Sequence, residues 1–249
     1  MAGEPSRARA APVRRRPRRR RLVAARSGRR DNRLDRYHPV MVATARDLPD
    51  DLALPLTSGS EWWYWLGGRP AIDLVNTLRE RWHRSVETLV TPDDLGLWLV
   101  RAKLLAAPPH VSRAALEAAR DLREAIDSGV QAALEGHAPT RAAIAQIDDW
   151  LTHAWVAPRL ALGDDGRPCL GERPPDDPAR SALAGVALDA ARMLGTPAQA
   201  ARIRICASET CSARFYDRSP AARRRWCSMS LCGNEAKARR HRARVKAAA

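Results

Sequence analysis

Four cysteines near the C-terminal end of the chain have the spacing of a metal site. They follow the pattern C-x4-C-x15-C-x4-C within 27 consecutive residues: Cys206, Cys211, Cys227 and Cys232. Two turns that each present two thiolates can surround one tetrahedral ion, as in closed structural zinc sites. A disulfide framework is disfavoured in a reducing compartment. The pattern therefore predicts one structural Zn²⁺ ion, with an iron–sulfur cluster or four unrelated buried thiols as the alternatives.

The segment that carries these cysteines has few large apolar residues. Residues 202–249 contain chiefly Ile203, Ile205, Phe215, Tyr216, Trp226, Met229 and Leu231. A structural zinc ion contributes about 10–16 kcal/mol to small modules, enough to replace the missing hydrophobic burial. The three aromatic residues are expected to pack over the metal site, and stacking on nucleic-acid bases is the alternative role for them.

A basic helix is predicted directly after the last cysteine. The sequence EAKARRHRARVKAAA consists mostly of strong helix formers and contains neither Pro nor Gly. A helix that is polar nearly all round either frays in water or meets an anionic partner, so a solvated face is the competing interpretation. The candidate nucleic-acid contacts are Lys237, Arg239, Arg240, His241, Arg242 and Arg244.

The net charge of +15 is divided unevenly along the chain. Residues 1–46 carry +12 and residues 202–249 carry +10, which leaves the middle of the chain acidic. Basic ends attract polyanions such as nucleic acid, and the attraction weakens as salt rises. Residues 1–45 are rich in Arg and Pro with few large apolar residues, so they are predicted to form a disordered basic arm. Met41 is an alternative start of translation within this arm.

The middle of the chain, residues 60–200, is predicted to form a helical domain. Thr91, Ser112 and Thr140 each precede a run with helical spacing of apolar residues, and Gly136 and Gly195 follow such runs. Alternating apolar residues on either side of a Gly-Asp-Asp-Gly turn at 163–166 predict a short β-hairpin that includes the fifth cysteine, Cys169. A possible polar pocket is assigned to Asp73, Asn76 and Thr77, with water-facing positions as the alternative. The fold class is therefore mainly α with a short β-hairpin, followed at 202–246 by a small four-cysteine zinc-finger module that ends in the basic helix.

Two stretches resemble known domain families. The sequences RICASETCSARFYDRSPAARRR and WCSMSLCGNEAKARRHRAR resemble the CGNR zinc finger, and LGGRPAIDLVNTLRERW is similar to the start of the ABATE domain that usually precedes it. The resemblance implies a stress-induced transcription regulator, or an RNA-binding protein. Glu235 stands where the family motif has Arg, which suits the first turn of a helix and pairing with Arg239, but adds repulsion toward phosphate.

Several other function classes find no support in the sequence. No apolar run approaches the roughly 20 residues of a membrane span, and no secretory signal is recognisable, so a soluble cytoplasmic protein is expected. No catalytic motif stands out, and a zinc ion with four cysteine ligands has no open position for a substrate. We expect a DNA-binding regulator whose helical domain binds a small ligand or forms a homodimer. An RNA-binding protein or a protein interaction module are the alternatives.

Overall fold

The computed structural model describes residues 48–154 and 156–248, and the predicted disordered arm at 1–45 lies outside them. Within these residues the α-helices are α1 (Pro70–Val75), α2 (Pro92–Arg101), α3 (Arg113–Glu135), α4 (Arg141–Leu151), α5 (Pro178–Leu194), α6 (Pro197–Ala200) and α7 (Asn234–Ala248). A π-helical turn, Met229–Gly233, leads directly into α7. No helix in this part of the chain is both long and apolar enough to cross a membrane.

The strands form three separate antiparallel pairs. The first joins β1 (Leu78–Arg79) to β2 (Val86–Glu87), the second joins β3 (Pro158–Leu162) to β4 (Pro168–Glu172), and the third joins β5 (Ile203–Ile205) to β6 (Arg214–Tyr216). The predicted fold class, mainly helical with a β-hairpin and a C-terminal cysteine module that ends in a helix, is confirmed. The sequence ARIRICA at 201–207 predicts a short strand that leads to Cys206, and β5 lies there. The strands of the pair β1–β2 are only two residues long, too short for an alternating apolar pattern to reveal them.

Local capping chemistry sets the helix boundaries that the sequence predicted. The Thr91 hydroxyl accepts the Asp94 N–H, and the Asp94 carboxylate accepts the Thr91 N–H, which makes a reciprocal capping box at the start of α2. Ser112 and Thr140 cap α3 and α4 with one side-chain hydrogen bond each. Gly136 ends α3 in the left-handed conformation, with φ +75°, which a residue without Cβ adopts at little cost.

The core lies between the helices α1 to α5. Along α3 the fully buried residues recur at helical spacing: Leu116, Ala119, Leu122, Ile126 and Val130. They pack with residues of the other helices, including Ile72 of α1, Ile147 of α4, and Leu183 and Met193 of α5. This core also includes Ile203 of β5, so the start of the cysteine module is anchored directly on the helices.

Candidate metal centre and basic helix

The structure brings the four predicted ligand cysteines together in one buried cluster. Their sulfur atoms all lie within 4.8 Å of one another, and each residue is at most 9% exposed. The Sγ atoms of Cys211 and Cys227 are 3.9 Å apart, and those of Cys227 and Cys232 are 3.7 Å apart. With Zn–S bonds of about 2.3 Å, the edge of a tetrahedral site is about 3.8 Å, whereas a disulfide bond is only about 2.05 Å long. The donor set and its spacing fit one Zn²⁺ ion.

Backbone hydrogen bonds hold the two turns that carry the sulfurs. The N–H of Cys206 donates to Ala213 O at 3.0 Å, and the N–H of Cys211 donates to Ser208 O at 3.2 Å, which closes the first turn. The N–H of Ala207 donates to Arg225 O at 2.8 Å and so ties the first turn to the approach of the second.

Gly233 lies in the turn between Cys232 and the start of α7. Its N–H donates to Ser228 O at 3.0 Å, which closes the π-helical turn against Met229. A Cβ atom at this position would lie 2.9 Å from the Met229 sulfur and 3.5 Å from Ser228 O. The Met229 sulfur lies near the flexible end of a half-exposed side chain, so a larger residue at 233 would displace that side chain rather than the backbone of the turn.

The four thiols compete for protons when they are this close. Hydrogen bonds from the other three cysteines lower the pKa of the Cys206 thiol far below its ordinary value. Hydrogen bonds to Cys206 raise the pKa of Cys227 and of Cys232. Four thiolates cannot coexist here without a compensating cation, which a divalent ion supplies when bound.

A small apolar cluster surrounds the sulfurs. Tyr64, Ala213 and Phe215 pack with the cysteines, and Leu66, Trp226 and Leu231 border them. Phe215 is completely buried, so the prediction that it packs rather than meets a base is confirmed for this residue. Trp226 is only half-buried, and the Arg225 guanidinium lies 5.0 Å from its ring centre.

The cysteine module is joined to the helices by a buried amide clamp. The Asn76 Nδ2 donates to Arg214 O at 2.9 Å, and the Arg214 N–H donates to Asn76 Oδ1 at 2.9 Å. Asn76 follows α1 and Arg214 begins β6, so two short elements far apart in the chain share one pair of hydrogen bonds.

A buried ion pair lies beside this clamp. The Arg214 guanidinium, 2% exposed, contacts the Asp127 carboxylate of α3 at 2.9 Å. Burial lowers the pKa of Arg214, and the Asp127 charge opposes that shift. The sequence analysis did not identify this pair. A usable signal was present, because Asp127 directly follows Ile126, which lies on the buried face of α3, and buried acids are nearly always paired.

All three residues predicted to line a polar pocket make hydrogen bonds inside the protein, and those of Asn76 are the two to Arg214. The Asp73 carboxylate accepts the Gly67 N–H at 2.8 Å, and the Thr77 hydroxyl donates to Leu74 O at 2.6 Å. Asn76 lines a cavity of about 310 Å³, which also borders Cys211 and Cys232. A ligand-binding role for the three residues stays a prediction.

Helix α7 carries the candidate nucleic-acid contacts. Lys237, Arg240, His241, Arg242 and Arg244 are exposed, whereas Arg239 is half-buried. Arg239 contacts two carboxylates, Glu235 at 2.9 Å and Glu209 at 3.0 Å. The expected pairing of Glu235 with Arg239 is confirmed, and Glu209 is a second partner that the sequence did not indicate.

A cavity of about 300 Å³ lies between α7 and the cysteine module. Its lining combines the Trp226 ring and three guanidinium side chains with small alanines and one acid: Ala207, Glu209, Arg225, Trp226, Ala236, Arg239, Arg240 and Ala243. An aromatic face beside several cations is suited to a planar, negatively charged ligand.

Two protein-family models match most of the helical region and of the cysteine module. Residues 68–197 match ABATE, described as "Putative stress-induced transcription regulator", and residues 202–245 match the CGNR zinc finger. The order and positions of both matches confirm the resemblances seen in the sequence. Both families are of regulator or zinc-finger type rather than enzyme families. A search of curated protein sequences finds no match to this chain.

Proposed function

Because this chain belongs to the ABATE family and carries a CGNR zinc finger, we propose that it is a zinc-dependent DNA-binding transcription regulator. We assign zinc binding to Cys206, Cys211, Cys227 and Cys232 of a finger at 202–246. The helical domain at 60–200 would sense a small ligand or form a homodimer. We propose that the protein acts in the cytoplasm without catalysing a reaction, and that the basic arm at 1–45 adds electrostatic attraction to nucleic acid.

The observation that carries this proposal is the direct connection between the metal site and α7. Cys232 lies in the π-helical turn, and α7 begins at Asn234, so the ligand cluster determines the direction of the helix. Short helices that lack an apolar face are marginal in water on their own. Anchored in this way, α7 presents a cationic surface with little apolar area. A surface of this kind suits contact with the phosphate backbone of a duplex.

The two neighbouring arginines Arg239 and Arg240 provide a test within one helix. Arg240 is exposed and free of carboxylates within salt-bridge distance in the described part of the chain, whereas Arg239 already contacts Glu209 and Glu235. Each phosphate contact contributes about 0.9 to the slope of log K against log salt on B-DNA. We expect Arg240→Gln to reduce the slope by about 0.9, and Arg239→Gln to reduce it by less, because its charge is already compensated.

The slopes are measured by fluorescence anisotropy with a mixed-sequence DNA duplex at several salt concentrations. Arg113→Gln is the matched control, because it removes one exposed charge from α3 rather than from α7. A slope that Arg240→Gln leaves unchanged, with zinc still bound, contradicts the assignment of α7 as the phosphate contact. Absence of binding to any nucleic acid at low salt would instead indicate an acidic protein partner.

Binding of single-stranded RNA is the second candidate function, and the half-buried Trp226 favours it. An unpaired base could stack on this ring beside Arg225 and Arg240, since aromatic stacking contributes about 1–3 kcal/mol per base. Trp226→Ala should then weaken single-strand binding by about 5- to 150-fold while duplex binding is kept, and Trp226→Phe should retain most of the affinity. Equal losses for single strands and duplexes, with zinc content unchanged, argue against base stacking.

A further inference from the structure

The β3–β4 hairpin exposes an apolar face. Leu160 is 71% exposed, Leu162 is 75% exposed and Leu170 is 77% exposed. Leu160 lies opposite Leu170 and Leu162 lies opposite Pro168, so these side chains share one face of the ribbon. An isolated two-stranded hairpin is at best marginally stable in water. A surface of this kind indicates a docking partner.

The edges of the hairpin are unsuited to adding another strand. The Gly163 N–H donates to Arg167 O at one end, and the Arg173 N–H donates to Ala157 O at the other. Hydrogen-bonded pairs recur at every second residue, so the backbone groups of positions 158, 160, 162, 168, 170 and 172 point outward. Pro158 and Pro168 occupy one such position on each strand and lack an N–H donor. The leucine face is therefore the surface that a partner would cover.

An apolar groove of about 690 Å³ lies at the base of the same hairpin. Leu104 and Leu105, from the loop after α2, form one part of its lining, and Pro175 and Ala182 at the start of α5 form another. Gly185 of α5 also lines the groove, and a Cβ atom built on it would meet nothing within 4 Å. The leucines of the same chain remain exposed, so they do not fill this groove.

We propose that the leucine face of one copy docks in the groove of a second copy, and that the two copies exchange hairpins in a two-fold dimer. One chain carries both surfaces, and a reciprocal exchange covers both in each copy. A single hairpin is too small for a stable interface, which needs roughly 20–30 residues from each partner, whereas exchange lets each copy contribute a hairpin and a groove.

The charges at the two surfaces also have opposite signs. The hairpin turn contains Asp164, Asp165 and Arg167, with net charge −1, and the groove is bordered by Lys103, Glu172 and Arg173, with net charge +1. This dimer rests on the homodimer named in the proposed function, but it depends only on the helical region, so its test is separate from whether α7 binds nucleic acid.

The test is sedimentation equilibrium of the full-length, zinc-loaded chain between about 1 and 100 μM, a range that detects dimers of moderate affinity. The wild type is expected to dimerise. Leu160→Ser combined with Leu170→Ser removes the apolar face and should raise the dimer Kd at least about 100-fold. Gly185→Gln fills the groove and should raise the dimer Kd at least about 10-fold without lowering the Tm measured at concentrations where both proteins are monomeric, because Gln is a better helix former than Gly.

Two controls separate docking from general effects of substitution. Ile144→Ser removes another exposed apolar side chain, on α4, and should leave the dimer unchanged. Gly185→Ala also raises the helix propensity of α5 but leaves most of the groove open. The dimer Kd of this variant should therefore stay within about threefold of the wild-type value. A monomeric wild type, or a dimer that survives either the leucine variant or Gly185→Gln, overturns the proposal.

Discussion

The amide clamp between Asn76 and Arg214 provides the sharpest test of how the finger is attached. Asn76 is 3% exposed and makes two hydrogen bonds of 2.9 Å to the backbone of Arg214. Asn76→Ala removes both bonds and leaves a buried N–H and a buried C=O of β6 without their partner. Water cannot easily replace the amide at a site this closed, so the cost should exceed that of losing two exposed bonds.

The expected magnitude follows from these two groups. A neutral hydrogen bond contributes about 1 kcal/mol net, and an orphaned buried group costs about 1–3 kcal/mol. Asn76→Ala should therefore lower the free energy of unfolding by about 2–4 kcal/mol. For a chain of this size each kcal/mol corresponds to roughly 2–4 °C in Tm, so we expect a decrease of about 5–15 °C.

The assay is thermal and urea unfolding of the zinc-loaded protein, with coincident transitions from two probes as the check for two-state behaviour. Asn234→Ala is the matched control, because this exposed amide donates only one 3.3 Å bond, to Ser230 O. Its effect should stay within about 0.5 kcal/mol. A loss below about 0.5 kcal/mol for Asn76→Ala would refute the reasoning, because the two buried groups would then have found other partners.

Three further changes test other parts of the molecule. Cys227→Ser should abolish stoichiometric zinc binding and reduce the far-UV helix signal of α7; retention of both would contradict a metal-dependent finger. A hydrogen bond from Arg84 lowers the pKa of Glu80 below its ordinary value of 4.5, so this pair stabilises the fold above about pH 4.5 and ceases to do so as pH falls through the folded-state pKa. The stability difference between wild type and Glu80→Gln, measured by urea unfolding, should therefore shrink toward acid pH, and a pH-independent difference would rule this out. Gly67→Ala places a Cβ atom 2.8 Å from the Asp73 N and should cost about 1–3 kcal/mol; an unchanged Tm would show that the backbone yields freely there.

Local chemistry made much of this protein predictable from its sequence. The capping residues Thr91, Ser112 and Thr140 marked helix starts because a cap bonds to backbone groups only two or three residues away. The four cysteines could be assigned to one ion for a similar reason, since two closely spaced pairs can come together through short turns. The resemblance to the CGNR zinc finger rests on the same local motif around these cysteines.

The tertiary structure decided which residues are available for function. Arg239 meets Glu209, thirty residues earlier in the chain, and this pairing separates it from the exposed Arg240 beside it. Asn76, which the sequence analysis assigned to a possible polar pocket, also holds a strand 138 residues away. The leucines of the hairpin alternate as a buried strand would, yet they are exposed. Helical periodicity and capping depend on residues that are close together in the chain. The pairing and exposure of side chains depend instead on which surfaces the packed helices bring together or leave uncovered.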